Sequence, residues 1–571
     1  MNLHKLIHRV LIASAFRPQQ EHLLRSFAAK RHLVALLIAL YPLLGVVCSS
    51  CYDDKGNYDY HDLDVVSIDT AGVGMQSEYA IMRFDRLVLE PNIQFNGQTV
   101  TDASQAPLDY QWTIFSATSG TGASTVIDTI GTSRVLDAII SRTGGNYYVQ
   151  LVVTNRNDGI RQFFRIPVAV SEVFDGGYMV FYERADQPGN SDLALIFNPW
   201  TKLNFAQNRY YTNLYETTNG ELLQGKPIRC LDIAVSLASG NNYVGLCTDY
   251  TLVGVSENGI EKALEFNEFF HEAPATMRPT WYGEHGSGVM SGQSSEVLLN
   301  NNTIYTNTYS FSATEGRTTR FGVPKFADGI GELAAWNAEV PNTLNYGIVV
   351  YDQTNQQFRY AGYNMAQLEH FGTQDAAAPF DVNNTGMQLL MGDWGKGASM
   401  GVSLRPYDYI IMQKGTERYL AVANFATTAP SDAHIAVGLY PMDALCPNIA
   451  NATSMSASHV GSFIYYTAGD KLYIFAYDSG QPATEAWTAP NGEEVTCVRI
   501  MKYYHGTVYG YGMVPRSDNL VHIATWNAAT QEGHVYEYLI NPASGILNTN
   551  QCYDYPIPGR VKDMAWKFSM Q

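Results

Sequence analysis

The stretch Gly397-Ala398-Ser399-Met400-Gly401 has the G-x-S-x-G spacing of a nucleophile elbow, a sharp strand-to-helix turn that presents a serine to its base and to oxyanion donors. Asp408 and His434 follow in the chain order such hydrolases use. The run VSLRPYDYIIM after the serine reads as strand rather than helix, so a glycine-rich loop between strands is the expectation. Glu268-Phe269-Phe270-His271 has the spacing that sets two metal ligands on one helical face. A di-metal bundle needs a second copy and further inward glutamates, which the sequence lacks, so an exposed loop or short helix is expected there. More suggestive are aromatic residues set among glycine and polar ones, in stretches that read as too irregular for regular strands. MRPTWYGEHGSG offers Arg278, Trp281, Tyr282 and His285; GDWGKGAS offers Trp394 and Lys396; NRYYTNLYE offers Tyr210, Tyr211 and Tyr215. Loops of this kind stack on sugar rings or pack peptide side chains, with arginine and lysine fixing a carboxylate. The alternative is that the same aromatics plug contacts between sheets.

The elements that would position these residues are strands. The chain has 38 tyrosines but only 16% charged residues, with abundant Gly, Asn and Thr, a composition of strands joined by tight turns. Its length exceeds what one hydrophobic core serves, so at least two domains are expected. Between residues 65 and 172, short alternating runs predict an all-β sandwich. LDYQWTIFS places Tyr110, Trp112 and Ile114 on one face, with Trp112 as a core plug, and the run from Gly145 to Val170 predicts two strands joined at Asn155 to Gly159. From 176 to 571 seven hairpin patterns recur, at 178–197, 243–259, 296–309, 346–363, 409–425, 462–480 and 520–540. Their turns fall roughly 50 to 63 residues apart, near the period of a four-stranded propeller blade with extended loops. CLDIAVSLA, EVTCVRIM and VKDMAWKF between and after them can supply further blade strands. The reading is a β-propeller of about seven blades, with six or eight open, against two or three sandwiches in tandem.

Residues 1–50 read as an upstream extension plus a secretory signal. Lys30 and Arg31 precede an apolar run from Leu33 to Val47, shorter than a membrane span and interrupted by Pro42. Ser49-Ser50-Cys51 then fits the end of a bacterial lipoprotein signal, with Cys51 as the acylated thiol and Cys48 as the minor alternative. Residues 51–64 would be a tether from lipid to sandwich. The chain has 36 Lys+Arg against 54 Asp+Glu; without the 6 and 1 of these in residues 1–50, 30 stand against 53, a net charge of −23. That charge opposes nucleic acid and anionic lipid, so membrane attachment would come through acyl chains alone. Cys230, Cys247, Cys446, Cys497 and Cys552 are an odd number without a C-x-x-C motif, hence no disulfide scaffold or zinc site but buried small side chains. Cys230 and Cys247 are the only pair close enough in sequence to suggest a local bridge. No cofactor motif is read.

The pattern Tyr110-x-Trp112 followed by Gly145-x-Tyr147-x-Val149-x-Leu151-x-Val153-x-Asn155 resembles a PKD domain, an immunoglobulin-like sandwich that usually serves as spacer or interaction module. Together with CYDDKGNYDY after the signal and FDGGYMVFYERADQPGNSDLALIF at the start of the second region, the chain looks like the PKD-like surface lipoproteins of Bacteroidetes, over nearly the whole mature length. Asp53 and Asp54 resemble the acidic signal that sends such lipoproteins to the outer face of the outer membrane. The resemblance implies a non-catalytic accessory of a SusC/SusD-type importer, a TonB-dependent barrel with a hinged lipoprotein lid, binding an oligopeptide or glycan nutrient or an importer subunit. It supplies no catalytic residues. A hydrolase with its site in the propeller channel and a cell-surface adhesin are the alternatives.

Overall fold

The computed structural model describes residues 64–70, 75–117, 127–171, 174, 176–202, 205–233, 243–257, 259–285, 294–309, 320–339, 346–363, 365–400, 403–426, 429–490, 492–502 and 516–567. Cys48, Cys51, Asp53 and Asp54 lie outside them. The architecture is all-β: an immunoglobulin-like sandwich followed by a seven-bladed propeller. Among the described residues no helix is long and apolar enough to cross a membrane.

In the sandwich a five-stranded sheet is built around the hairpin Gly145–Asn155 and Arg161–Ser171, flanked by Leu108–Ser116 and Tyr79–Met82 and ended by Asp128–Gly131. It faces the smaller sheets of Val66–Asp69, Asn92–Phe95 and Gln98–Val100, and of Arg86–Leu89 with Leu136–Ile139. Alternation along Leu108–Ser116 turns Tyr110, Trp112 and Ile114 inward, as expected for strands with one buried face. Trp112 is fully buried, and its Nε1 donates to the Ser133 carbonyl at 2.9 Å, which satisfies the polar atom such a plug brings inside.

All seven hairpins read from the sequence are the second and third strands of the seven blades: Tyr178–Arg184 with Asn190–Phe197, Tyr243–Thr248 with Leu252–Ser256, Ser294–Asn300 with Thr303–Tyr309, Ile348–Asp352 with Gln357–Ala361, Ser403–Lys414 with Glu417–Ala423, Ile464–Ala468 with Lys471–Phe475, and Leu520–Asn527 with Glu532–Ile540. These strands are covered on both faces by neighbouring blades, so they carry nearly continuous apolar runs, as Ile348–Asp352 shows by being buried throughout. Their turns use left-handed residues such as Gly415, at φ 61°, the conformation that two-residue hairpin loops require.

The innermost strands are, from blade 1 to blade 7, Gly559–Trp566, Pro227–Ile233, Pro279–His285, Leu333–Asn337, Gln388–Met400, Ala452–Ala457 and Glu493–Ile500. The first comes from the far end of the chain. It pairs antiparallel with Tyr178–Arg184 and so closes the ring. MRPTWYGEHGSG and GDWGKGAS therefore contain inner blade strands and are not irregular loops. Their glycines mark close approach near the axis: a Cβ on Gly283 would lie 2.1 Å from Asn337 Oδ1, and one on Gly392 2.7 Å from Trp336 Nε1. Cys230, Cys247, Cys446, Cys497 and Cys552 are all free thiols, the first four buried.

Sandwich and propeller meet through a defined contact. Phe84 packs on Phe174 and Tyr211, with ring centroids 5.2 and 6.4 Å away. Asp85 accepts from Arg209 Nη1 at 2.9 Å and from the Tyr211 hydroxyl at 3.3 Å, and buried Arg83 pairs with Glu261 at 2.8 Å.

Candidate functional site

Around the propeller axis the inner strands exchange side chains at every blade junction. Asp563 of blade 1 accepts from Arg229 Nε of blade 2 at 3.2 Å and, through its other oxygen, from Arg499 Nη2 of blade 7 at 2.7 Å. The Arg229 guanidinium lies 4.6 Å from the ring centroid of Trp281 in blade 3, and Trp281 Nε1 donates to Asn337 Oδ1 of blade 4 at 2.7 Å. Arg229 also grips Glu339, just past the blade 4 strand, through both terminal nitrogens at 2.9 and 3.3 Å. Trp336 of blade 4 packs against Gly392 of blade 5. Asp393 of blade 5 accepts from Ala457 N (2.8 Å) and Ser456 Oγ (3.0 Å) of blade 6, and Ser456 Oγ in turn accepts from Ile500 N of blade 7 at 3.1 Å. Lys502, just beyond the blade 7 strand, donates to Asp393 Oδ2 at 2.6 Å and sits 4.4 Å over the Trp394 ring.

The electrostatics follow from low exposure and pairing. Burial pushes the Glu339 carboxyl upward against the pull of Arg229. Burial also works against ionisation of Asp393, but Lys502 and Arg499 outweigh it and hold that carboxyl below its usual range. Asp408, on the second strand of blade 5, is the exception. It is 1% exposed, and burial together with Glu339 and Asp393 drives its pKa well above the carboxylate range; its Oδ2 has no hydrogen-bond partner among the described residues. Three carboxyl groups thus converge, as a channel hydrolase would require, but two are held by cations and the third is enclosed. The belt is built to hold blades together, since ionised groups at low dielectric need close partners.

One recess opens among the inner strands and another on the sandwich. One, of about 440 Å³, is lined by Lys226, Pro227, Thr453, Thr496, Arg560, Val561 and Lys562 with Glu183, where the inner strands of blades 1, 2, 6 and 7 begin. The other, of about 580 Å³, lies on the outer face of the sandwich. There Arg165 is already engaged, 5.1 and 5.3 Å from the centroids of Phe115 and Tyr148 and 2.8 Å from Gln150 Oε1.

The residues singled out from sequence divide accordingly. Tyr282 is fully buried and donates to Glu296 Oε1 at 2.7 Å, so it packs blades and is not available to a ligand. His285 is fully buried, its Nδ1 donating to the Ala338 carbonyl at 2.6 Å. Trp281 and Trp394 carry the cations of Arg229 and Lys502 on their faces. Arg278 is exposed just before the blade 3 inner strand, and Lys396 is exposed with Nζ 3.0 Å from Ser462 Oγ. Tyr210 is exposed against Tyr555, at 5.4 Å, whereas Tyr211 belongs to the contact with the sandwich. The structure therefore does not gather these residues into one site. Ser399 lies within a strand that turns back at Met400↔Ser403 with no following helix, while His434 is exposed elsewhere, so no elbow forms. Glu268 caps a short helical turn by accepting from Glu265 N at 2.8 Å, and among the described residues no cluster is placed to hold a metal. Sequence reasoning missed Arg229, Glu339, Asp393, Arg499, Lys502 and Asp563.

His285 supplies a pH test. Burial lowers its pKa from 6.5 to about 4, because protonation would place a cation inside whose Nε2–H has no partner among the described residues. Below pH 6.5 the unfolded chain takes up a proton that the folded chain refuses, so its contribution is complete above pH 6.5 and is lost as pH falls toward 4, by about 3 kcal/mol in total. His285→Gln is expected to flatten the loss of urea stability between pH 6.5 and 4 relative to the parent chain. Parallel pH profiles would contradict it.

The PKD-like family matches residues 51–227, so a PKD-like domain is present; the match runs past the sandwich into blade 1 and stops short of the whole mature length. No curated protein matches the chain. Among solved structures, a quinonprotein alcohol dehydrogenase-like protein of Bacteroides thetaiotaomicron is 11% identical with a TM-score of 0.34, over 89% of this chain and 99% of its own. PorZ, a surface component of the type-IX secretion system of Porphyromonas gingivalis, is 10% identical with a TM-score of 0.24, over 82% of this chain and 74% of its own.

Proposed function

We propose that this protein is a non-catalytic binding protein, lipid-anchored at Cys51 on the outer face of the outer membrane, that serves as accessory to a SusC/SusD-type importer and captures a nutrient or an importer subunit with its propeller. The observation that carries the reading is the belt around the axis. It commits Asp563, Glu339 and Asp393 to cations, leaving a rigid scaffold with a ligand-sized mouth in place of paired carboxyl groups free for acid and base work. The apolar run ending at Cys51, the acidic pair Asp53 and Asp54, and the PKD-like domain support the placement. A bolted contact would fix the attitude of the propeller on the sandwich.

The test is purification of tagged protein from outer membranes. An importer barrel is expected to co-purify, and recovery of the lipoprotein alone would count against the reading. Cys51→Ser is expected to remove acylation seen by mass spectrometry and to move the protein out of the membrane fraction. Retention of the variant in that fraction would contradict the anchor.

A further inference from the structure

We infer that the recess where the inner strands begin is a binding site for a small carboxylate-bearing ligand. The inference rests on the capture role proposed above and names the chemistry of what is captured. Its wall holds Lys226, Arg560 and Lys562 against the single carboxylate of Glu183, in a chain of net charge −18. The local excess of positive charge is thus opposite in sign to the molecule around it. Alternation along Gly559–Trp566 explains how it is presented: Val561 and Asp563 turn inward while Arg560 and Lys562 are exposed on the other side. Lys226 stands 3.8 Å from Glu183, longer than a hydrogen bond. Arg560 leans on Glu494 at 2.8 Å, an exposed pair at 50% and 48%, of a kind worth little and readily exchanged. Lys562 has no carboxylate within ion-pair distance among the described residues. Thr453 and Thr496 add hydroxyls, and Pro227 and Val561 an apolar patch.

A volume of about 440 Å³ falls within the range of small-molecule sites. The acidic field of the remaining surface repels extended polyanions, but over separations beyond about 8 Å it is screened at physiological salt, so a short ligand with one or two carboxylates reaches the cations. Arginine and lysine supply charge-assisted hydrogen bonds to such a group. A carboxylate of this size arises at the end or on the side chains of an oligopeptide, or on the uronic units of an oligosaccharide.

The experiment is calorimetric titration of the mature chain with triglutamate and with trigalacturonate, each beside its uncharged counterpart, triglutamine or maltotriose, at 20 and 200 mM NaCl. At least one anion is expected to bind, its uncharged counterpart not, with affinity falling several-fold at the higher salt; which anion binds identifies the source. Lys562→Ala is expected to weaken binding about tenfold, as for loss of one charged contact, and Lys562→Glu to abolish it. Both variants should melt as the parent does, since the side chain is exposed. Absence of binding by both anions, or unchanged affinity in Lys562→Glu, would overturn the inference. Lipidation and importer co-purification of Lys562→Glu report separately on the reading beneath it.

Discussion

A chain ending at Ile557 is expected to lose the cooperative unfolding of its propeller. The missing residues include the whole inner strand of blade 1, which pairs with seven positions of Tyr178–Arg184. They also include Val561 and Met564, buried with Tyr178, Val180 and Cys497, and Lys567, whose Nζ donates to the Phe174 carbonyl at 2.7 Å. Two buried side chains contribute about 1.5 to 3 kcal/mol each. Loss of Asp563 and of a ladder edge adds a comparable amount, and the sum rivals the roughly 5 to 15 kcal/mol that holds a domain folded. The ring also loses the blade 1 side of its axial belt, because Asp563 is where Arg229 of blade 2 and Arg499 of blade 7 meet blade 1. The sandwich has a separate core around Trp112, so calorimetry should retain one small transition and lose the large one. A truncated chain melting like the parent would remove the closing strand from the account of stability.

The seven hairpins were legible because blade packing covers both faces of their strands and writes itself as apolar runs between turn residues. Outer strands such as Arg209–Tyr211 are short and half exposed, so little in their sequence distinguishes them from loops. The inner strands misled in a different way. Three of them, at Cys230, Glu494 and Val561, were visible through their aliphatic residues. Those at Trp281 and Trp394 read as irregular loops that either take a ligand or plug contacts between sheets, because a strand beside the axis must carry glycine where blades converge and charge where side chains meet around the channel. Tyr282 and His285 shared a segment with Trp281, yet both are fully buried, on opposite faces of a strand that neighbouring blades cover on both sides. The belt itself had no local signal. Arg229 and Asp563 are 334 positions apart and Arg229 and Glu339 are 110 apart, and only ring closure brings them together.

Asp563→Ala is expected to cost about 3 to 5 kcal/mol, the range seen when one partner of a buried ion pair is removed. Asp563 is 1% exposed and receives Arg229 Nε, Arg499 Nη2 and the backbone N–H of Cys230. Its removal leaves those donors facing an emptied site. Arg229 keeps Glu339 and the Trp281 face, while among the described residues Arg499 keeps only the longer hydrogen bonds to the Met455 and Val498 carbonyls, at 3.4 and 3.2 Å. Arg499 thus loses the most, although at 27% exposure water can recover part of it. Deleting a partner and replacing the set are different experiments: the fourfold change Asp563→Leu, Glu339→Met, Arg229→Met, Arg499→Met removes the paired charges together and should cost markedly less than Asp563→Ala, since exchanging a buried charge cluster for apolar groups of similar volume is often near neutral. Urea midpoints at constant m-value give both numbers. If the single change proved as mild as a surface substitution, or the fourfold change proved the more damaging, the belt would not be an ionic lock on the ring, and its carboxylates would again be available for chemistry.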